Sequence, residues 1–124
     1  MNTAIRTRSD LDRAGTFGRE TLYPGRLKIL VGSASCGLAA GAREVEEADF
    51  ETVKRLGLDA VVARTGCVGF CQREPLVDLF LPRGPRITYG NVTAKSIRTL
   101  LETLASGGTP PARAALCRGK YLTC

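Results

Sequence analysis

One stretch constrains this chain more than any other: Thr65-Gly66-Cys67-Val68-Gly69-Phe70-Cys71-Gln72-Arg73-Glu74-Pro75. Two cysteines four positions apart lie on a glycine-rich turn. The apolar run Asp59–Arg64 leads into that turn and Leu76–Leu81 leads out. Short β-rich runs on either side of such a turn read as strands. A third cysteine, Cys36, follows another β-rich run, Leu27-Lys28-Ile29-Leu30-Val31, and a glycine, Gly32. If the first two runs are parallel neighbours joined by a helix, their C-terminal ends lie side by side. Cys36 then meets the turn that holds Cys67 and Cys71.

The segment between Cys36 and that turn has the pattern such a crossover needs. Leu38, Ala42, Val45, Ala48, Thr52 or Val53, and Leu56 recur at helical spacing. Glu44, Glu46 and Glu47 are expected to face solvent. Lys54 and Arg55 suit the negative end of the helix dipole, and Gly57 suits its C-terminal cap. Ser35 is the expected N-cap. Pro82-Arg83-Gly84-Pro85 predicts a tight turn into a fourth strand, Arg86–Tyr89. Thr93 is placed to cap a second helix, with Ile97, Leu100, Leu101 and Leu104 on one face and Gly107-Gly108 after it.

The order is therefore strand, helix, strand, strand, strand, helix. It predicts an α/β domain of thioredoxin-like type over residues 26–106. The sheet would be small, mixed and four-stranded, with both helices packed on it. Residues 1–25 read as an N-terminal arm, with a short helix over 8–22 that presents Leu11, Phe17 and Leu22. Residues 107–124 read as a flexible tail.

Composition narrows the function classes. The 124 residues suffice for one domain with a modest core, and 44% are apolar. No apolar run approaches the ~20 residues of a membrane-spanning helix, so no membrane insertion is expected. The polar, charged N-terminus lacks the apolar segment of a secretory signal, which leaves the cytoplasm as the expected location. The net charge is +6, but the positive residues are scattered and tryptophan is absent. Nucleic-acid binding is therefore not expected. Histidine is absent too, which excludes mixed Cys/His zinc sites and histidine-based catalysis. Five cysteines, an odd number in a compartment expected to be reducing, argue against a disulfide framework.

Cys36, Cys67 and Cys71 are the candidate ligands. Gly37 follows Cys36, Gly66 precedes Cys67 and Gly69 lies between Cys67 and Cys71, and the freedom of glycine lets backbone N–H groups turn towards a sulfur. The Cys67–Cys71 spacing by itself is weak, because cysteine is a common core residue. Three buried thiols without a ligand remain an alternative. So do a thiol-redox pair at Cys67 and Cys71, and a three-thiolate zinc site. Arg64, Arg73 and Glu74 are expected to be solvated, Tyr89 to belong to the sheet, and Asn91 to form the turn before the second helix.

The run from Val31 to Val45 resembles the start of the thioredoxin-like ferredoxin domain of NADH dehydrogenase flavoprotein subunits and NAD-linked hydrogenases. Thr65–Cys71, Glu74–Val77 and Ile87–Thr93 match the same domain in order, and the resemblance covers residues 22–106. It implies a [2Fe–2S] site in which Cys36, Cys67 and Cys71 are three of four ligands. The fourth family position falls at Gly41, which has no side chain. Cys117 or Cys124 is a substitute to be considered. No glycine-rich FMN or NADH loop and no Cys-x-x-Cys-x-x-Cys motif is present, so the chain alone is not expected to oxidise NADH. Its expected role is an electron-transfer or accessory module docked on other subunits of an NADH-dependent oxidoreductase. The alternatives are a clusterless assembly domain of the same lineage, and a thiol redox protein.

Overall fold

The computed structural model describes residues 4–112 and 115–119. Its elements in order are α1 (Arg8–Leu22), β1 (Leu27–Gly32), α2 (Ser35–Ala39), α3 (Ala42–Leu56), β2 (Ala60–Thr65), β3 (Val77–Phe80), β4 (Arg86–Tyr89), α4 (Ala94–Ala105) and β5 (Ala115–Gly119). A single turn of 3-10 helix, Cys71–Arg73, interrupts the loop between β2 and β3. The sheet order is β2-β1-β3-β4-β5. β1 and β2 are parallel, as the strand–helix–strand pattern predicts, and the other pairings are antiparallel.

The α/β, thioredoxin-like class agrees with this architecture, but the sheet has five strands rather than four. The fifth, β5, lies in the stretch read as a tail and pairs with β4. Its Leu116 side chain packs on Gly90, where a Cβ would meet Leu116 Cδ1 at 2.6 Å. The short Ala115–Gly119 segment follows Pro110 and Pro111 and has no alternating pattern. Its pairing comes from the partner strand more than from local propensity.

One face of the sheet carries the core. Ile29 and Val31 of β1, Val77 and Leu79 of β3 and Ile87 of β4 are fully buried with Val45 and Ala48 of α3 and Ile97 and Leu101 of α4. Burying each of the larger side chains stabilises the fold by about 1.5–3 kcal/mol. α4 starts where Thr93 was expected to cap it: its hydroxyl accepts from Ser96 N, and Ser96 Oγ accepts from Thr93 N. The helix expected to run on from Leu38 is two helices. Gly41 breaks it with φ +102°, a left-handed conformation that glycine adopts without strain. Leu38 ends up on α2 and is 47% exposed instead of joining the core. The N-cap of α2 is Ala34, so Ser35 caps nothing.

α1 occupies the predicted 8–22 span, with a Thr7–Asp10 capping box. None of its residues is buried, and Leu11, Phe17 and Leu22 are exposed. Lys28 of β1, buried on the sheet face away from the core, donates to the Thr21 and Leu22 carbonyls at 2.9 and 3.1 Å. A lysine at a helix C-terminus answers carbonyls that have no partner within the helix. No helix among the described residues is long and apolar enough to cross a membrane.

Candidate metal centre

The parallel register decides where the cysteines go. Gly32, the last residue of β1, pairs with Thr65, the last residue of β2. The loops that carry Cys36 and Cys67 therefore leave the sheet at one level, and Ser33 N donates to Thr65 O at 3.0 Å. Cys36 sits in the first turn of α2, and Cys71 opens the 3-10 turn. The sulfurs of Cys36, Cys67 and Cys71 lie within 4.8 Å of one another. Cys67 and Cys71 Sγ are 3.4 Å apart. Gly69, at φ +92°, reverses the loop between them, and its N–H donates to Cys67 Sγ at 3.3 Å.

The three thiols do not share one electrostatic environment. The Gly69 N–H, with further hydrogen bonds from Cys71 and Cys36, holds the Cys67 thiol below the usual range. Cys36 is pushed up to about 11, first by its hydrogen bonds to Cys67 and Cys71, then by desolvation and by the charge of both neighbours. Cys67 therefore becomes a thiolate before Cys36 does. Cys67 and Cys71 are exposed and Cys36 is half-buried. Val68 and Phe70, in the Cys67–Cys71 loop, and Leu38, two residues after Cys36, are exposed apolar side chains.

Glu74 was expected to be solvated and is not. It is 6% exposed, and its peptide bond to Pro75 is cis. Oε2 accepts from Leu76 N at 2.7 Å, while Cys36 Sγ donates towards Oε1 across 3.9 Å. A Cβ on Gly32 would meet Oε2 at 2.9 Å, so the glycine at the end of β1 makes room for this carboxylate. Glu46 also departs from expectation. It is buried, and Arg64 Nε donates to its Oε1 at 2.6 Å. One turn further along α3 lies Asp49, fully buried, with no hydrogen-bond partner on either carboxylate oxygen. Burial first, and the nearby Glu46 charge second, push it up to about 7. An acidic residue in the run Glu46-Glu47-Ala48-Asp49 gives no sign in the sequence that it points inward; only its i+4 spacing from Val45 does so.

A [2Fe–2S] cluster takes four protein ligands. The grouped thiols fit three of those positions, and among the described residues no fourth cysteine joins them. At Gly41, a Cβ would meet Glu44 Oε2 at 3.5 Å and no sulfur within 4 Å. The backbone of Cys117 pairs with Thr88 in the outer part of the sheet. The Cys117 side chain, and all of Cys124, lie outside the described residues.

Comparison with known proteins converges on one lineage. No family model matches the chain. It is 30% identical over 111 residues to the NADP-reducing hydrogenase subunit HndB of Solidesulfovibrio fructosivorans, covering 87% of this chain and 88% of the relative. It is 31% identical over 83 residues to a 2Fe-2S ferredoxin of Aquifex aeolicus (strain VF5), covering 64% of this chain and 72% of that protein. A solved structure of a thioredoxin-like [2Fe–2S] ferredoxin from Aquifex aeolicus superposes with a TM-score of 0.63 at 25% identity, over 77% of this chain and 94% of that one. On these likenesses, and with three thiols gathered at the end of its parallel strand pair, the chain belongs to the thioredoxin-like [2Fe–2S] ferredoxin family.

Proposed function

We propose that the chain is an electron-transfer module of an NAD(P)-dependent oxidoreductase, with Cys36, Cys67 and Cys71 holding a [2Fe–2S] cluster. The observation that carries this reading is the convergence of three sulfurs within 4.8 Å at the end of a parallel strand pair. Similarity to a hydrogenase subunit and to a 2Fe-2S ferredoxin supports it. When bound, such a cluster supplies one-electron transfer. The chain's own part is to hold the thiolates and to turn the Gly69 N–H towards Cys67. It also keeps the site at the surface, where a partner can approach. The partners in this reading are other subunits of the host complex, met through the apolar rim of Leu38, Val68 and Phe70, and the location is the cytoplasm. Iron and acid-labile sulfide determination, with an EPR spectrum of the reduced protein, tests the proposal. A protein reconstituted under anaerobic conditions that keeps no iron and shows no signal would end it.

A second reading draws on Gly41, which puts no side chain at the fourth family position. In it, the domain serves assembly without a cluster. Cys36→Ser should then leave binding to the host complex unchanged in a pull-down, and loss of assembly would count against it.

A further inference from the structure

We propose that Glu74 is the fourth donor of the centre, in place of a cysteine; this rests on the reading that the three thiols bind a metal centre. Three observations lead there. The carboxylate is more than nine-tenths buried. Among the described residues no lysine or arginine lies within ion-pair distance of it. A buried carboxylate without a cation is costly, and the cost is relieved when a metal ion faces it. Its Oε1 lies beside one of the three thiols, 3.9 Å from Cys36 Sγ. Sulfur and oxygen bound to one tetrahedral metal stand about 3.6 Å apart, given metal bonds near 2.3 and 2.1 Å.

The surrounding backbone holds the carboxylate in that attitude. Oε2 is fixed by Leu76 N, which leaves Oε1 as the free arm. Gly32 packs against both oxygens and Gly37 against Oε2, and a side chain on either would crowd the carboxylate. The strand that delivers Cys36 thus also leaves the space that lets Glu74 reach it. The 3-10 turn that begins at Cys71 ends at Arg73, and Glu74 N donates to Cys71 O at 3.3 Å. Cys67, Cys71 and Glu74 therefore come from one folded loop, and Cys36 closes the set from across the sheet. In this proposal the three sulfurs, within 4.8 Å of one another, and the Glu74 carboxylate, which meets them at Cys36, are the donors of a thiophilic metal centre.

The test uses the full-length chain and the variants Glu74→Gln, Glu74→Ala and Glu74→Cys, each checked for fold by far-UV circular dichroism. Cobalt(II) reports the donor set whether or not a cluster forms. Wild type should give the visible bands of tetrahedral cobalt with sulfur-to-metal charge transfer. Glu74→Gln and Glu74→Ala should bind at least about tenfold more weakly. Glu74→Cys should bind and add about one-third to the charge-transfer intensity, a fourth thiolate joining three. The same proteins are then reconstituted with iron and sulfide and measured for iron content and absorption. Wild-type affinity and an unchanged spectrum in Glu74→Gln and Glu74→Cys overturn the assignment, as does a wild type that binds no cobalt. A cluster that forms alike in wild type and Glu74→Gln removes Glu74 and leaves the electron-transfer reading intact. Glu74-dependent cobalt binding without any cluster removes the electron-transfer reading and leaves Glu74 in place.

Discussion

Gly37 lies against the carbonyl oxygen of Gly32, so close that a Cβ at position 37 would collide with it. The collision is with backbone, which cannot swing aside as a side chain can. The two glycines fold the loop after β1 back on its own strand and set the height of Cys36 above the sheet.

Gly37→Ala should therefore displace Cys36 and cost on the order of 2 kcal/mol or more. Urea unfolding reads the stability, and cobalt affinity reads the displaced thiol. Gly15→Ala is the matching control. A Cβ there meets nothing within 4 Å, and the exposed helix should gain about 0.5–1 kcal/mol. Equal effects from the two substitutions would remove the close approach as an explanation.

Asp49 makes stability depend on pH in an unusual direction for a carboxylate. Its folded-state value is about 7, above the ordinary 3.8. Between those values the folded chain holds a proton that the unfolded chain has lost, so stability from this group falls as pH rises from about 4 to 7. The loss is bounded at roughly 4 kcal/mol. Asp49→Asn removes the titration. Urea midpoints at pH 5 and pH 8 should differ less in the variant than in wild type, and parallel losses in both would show that Asp49 does not titrate in this range.

The unequal thiols should be visible to an alkylating reagent. In metal-free protein at neutral pH, iodoacetamide should modify Cys67 before Cys36, because reactivity follows the thiolate fraction. Mass spectrometry of timed digests gives the order. Modification of Cys36 first would reverse the electrostatic assignment.

Thr93→Ala should lower stability by about 1 kcal/mol, since the hydroxyl accepts from Ser96 N at the start of α4. Thr93→Ser, which keeps the acceptor, should restore most of it in the same urea titration.

The sequence pattern revealed the parts of the fold that depend on periodicity. The core-packed helices α3 and α4, the parallel pair and the β3–β4 hairpin follow from apolar spacing and turn residues, and the meeting of Cys36 with Cys67 and Cys71 follows from the parallel pair. What stayed hidden depends on tertiary context. Glu74, Glu46 and Asp49 look like surface residues by type, and only three-dimensional packing buries them. The break at Gly41 was masked by continuous helical spacing through Leu38 and Ala42. β5 has too little pattern to stand out without β4 beside it.

Cys36 and Glu74 are 38 residues apart in the chain yet side by side at the centre. A ligand that bridges them recognises only the folded molecule, because the unfolded chain seldom brings the two ends of so long a loop together. Occupancy then enters the folding equilibrium by mass action: a free ligand at a hundred times its dissociation constant adds about 2.7 kcal/mol. How much of this protein persists in a cell would accordingly follow the supply of metal as well as the rate of synthesis.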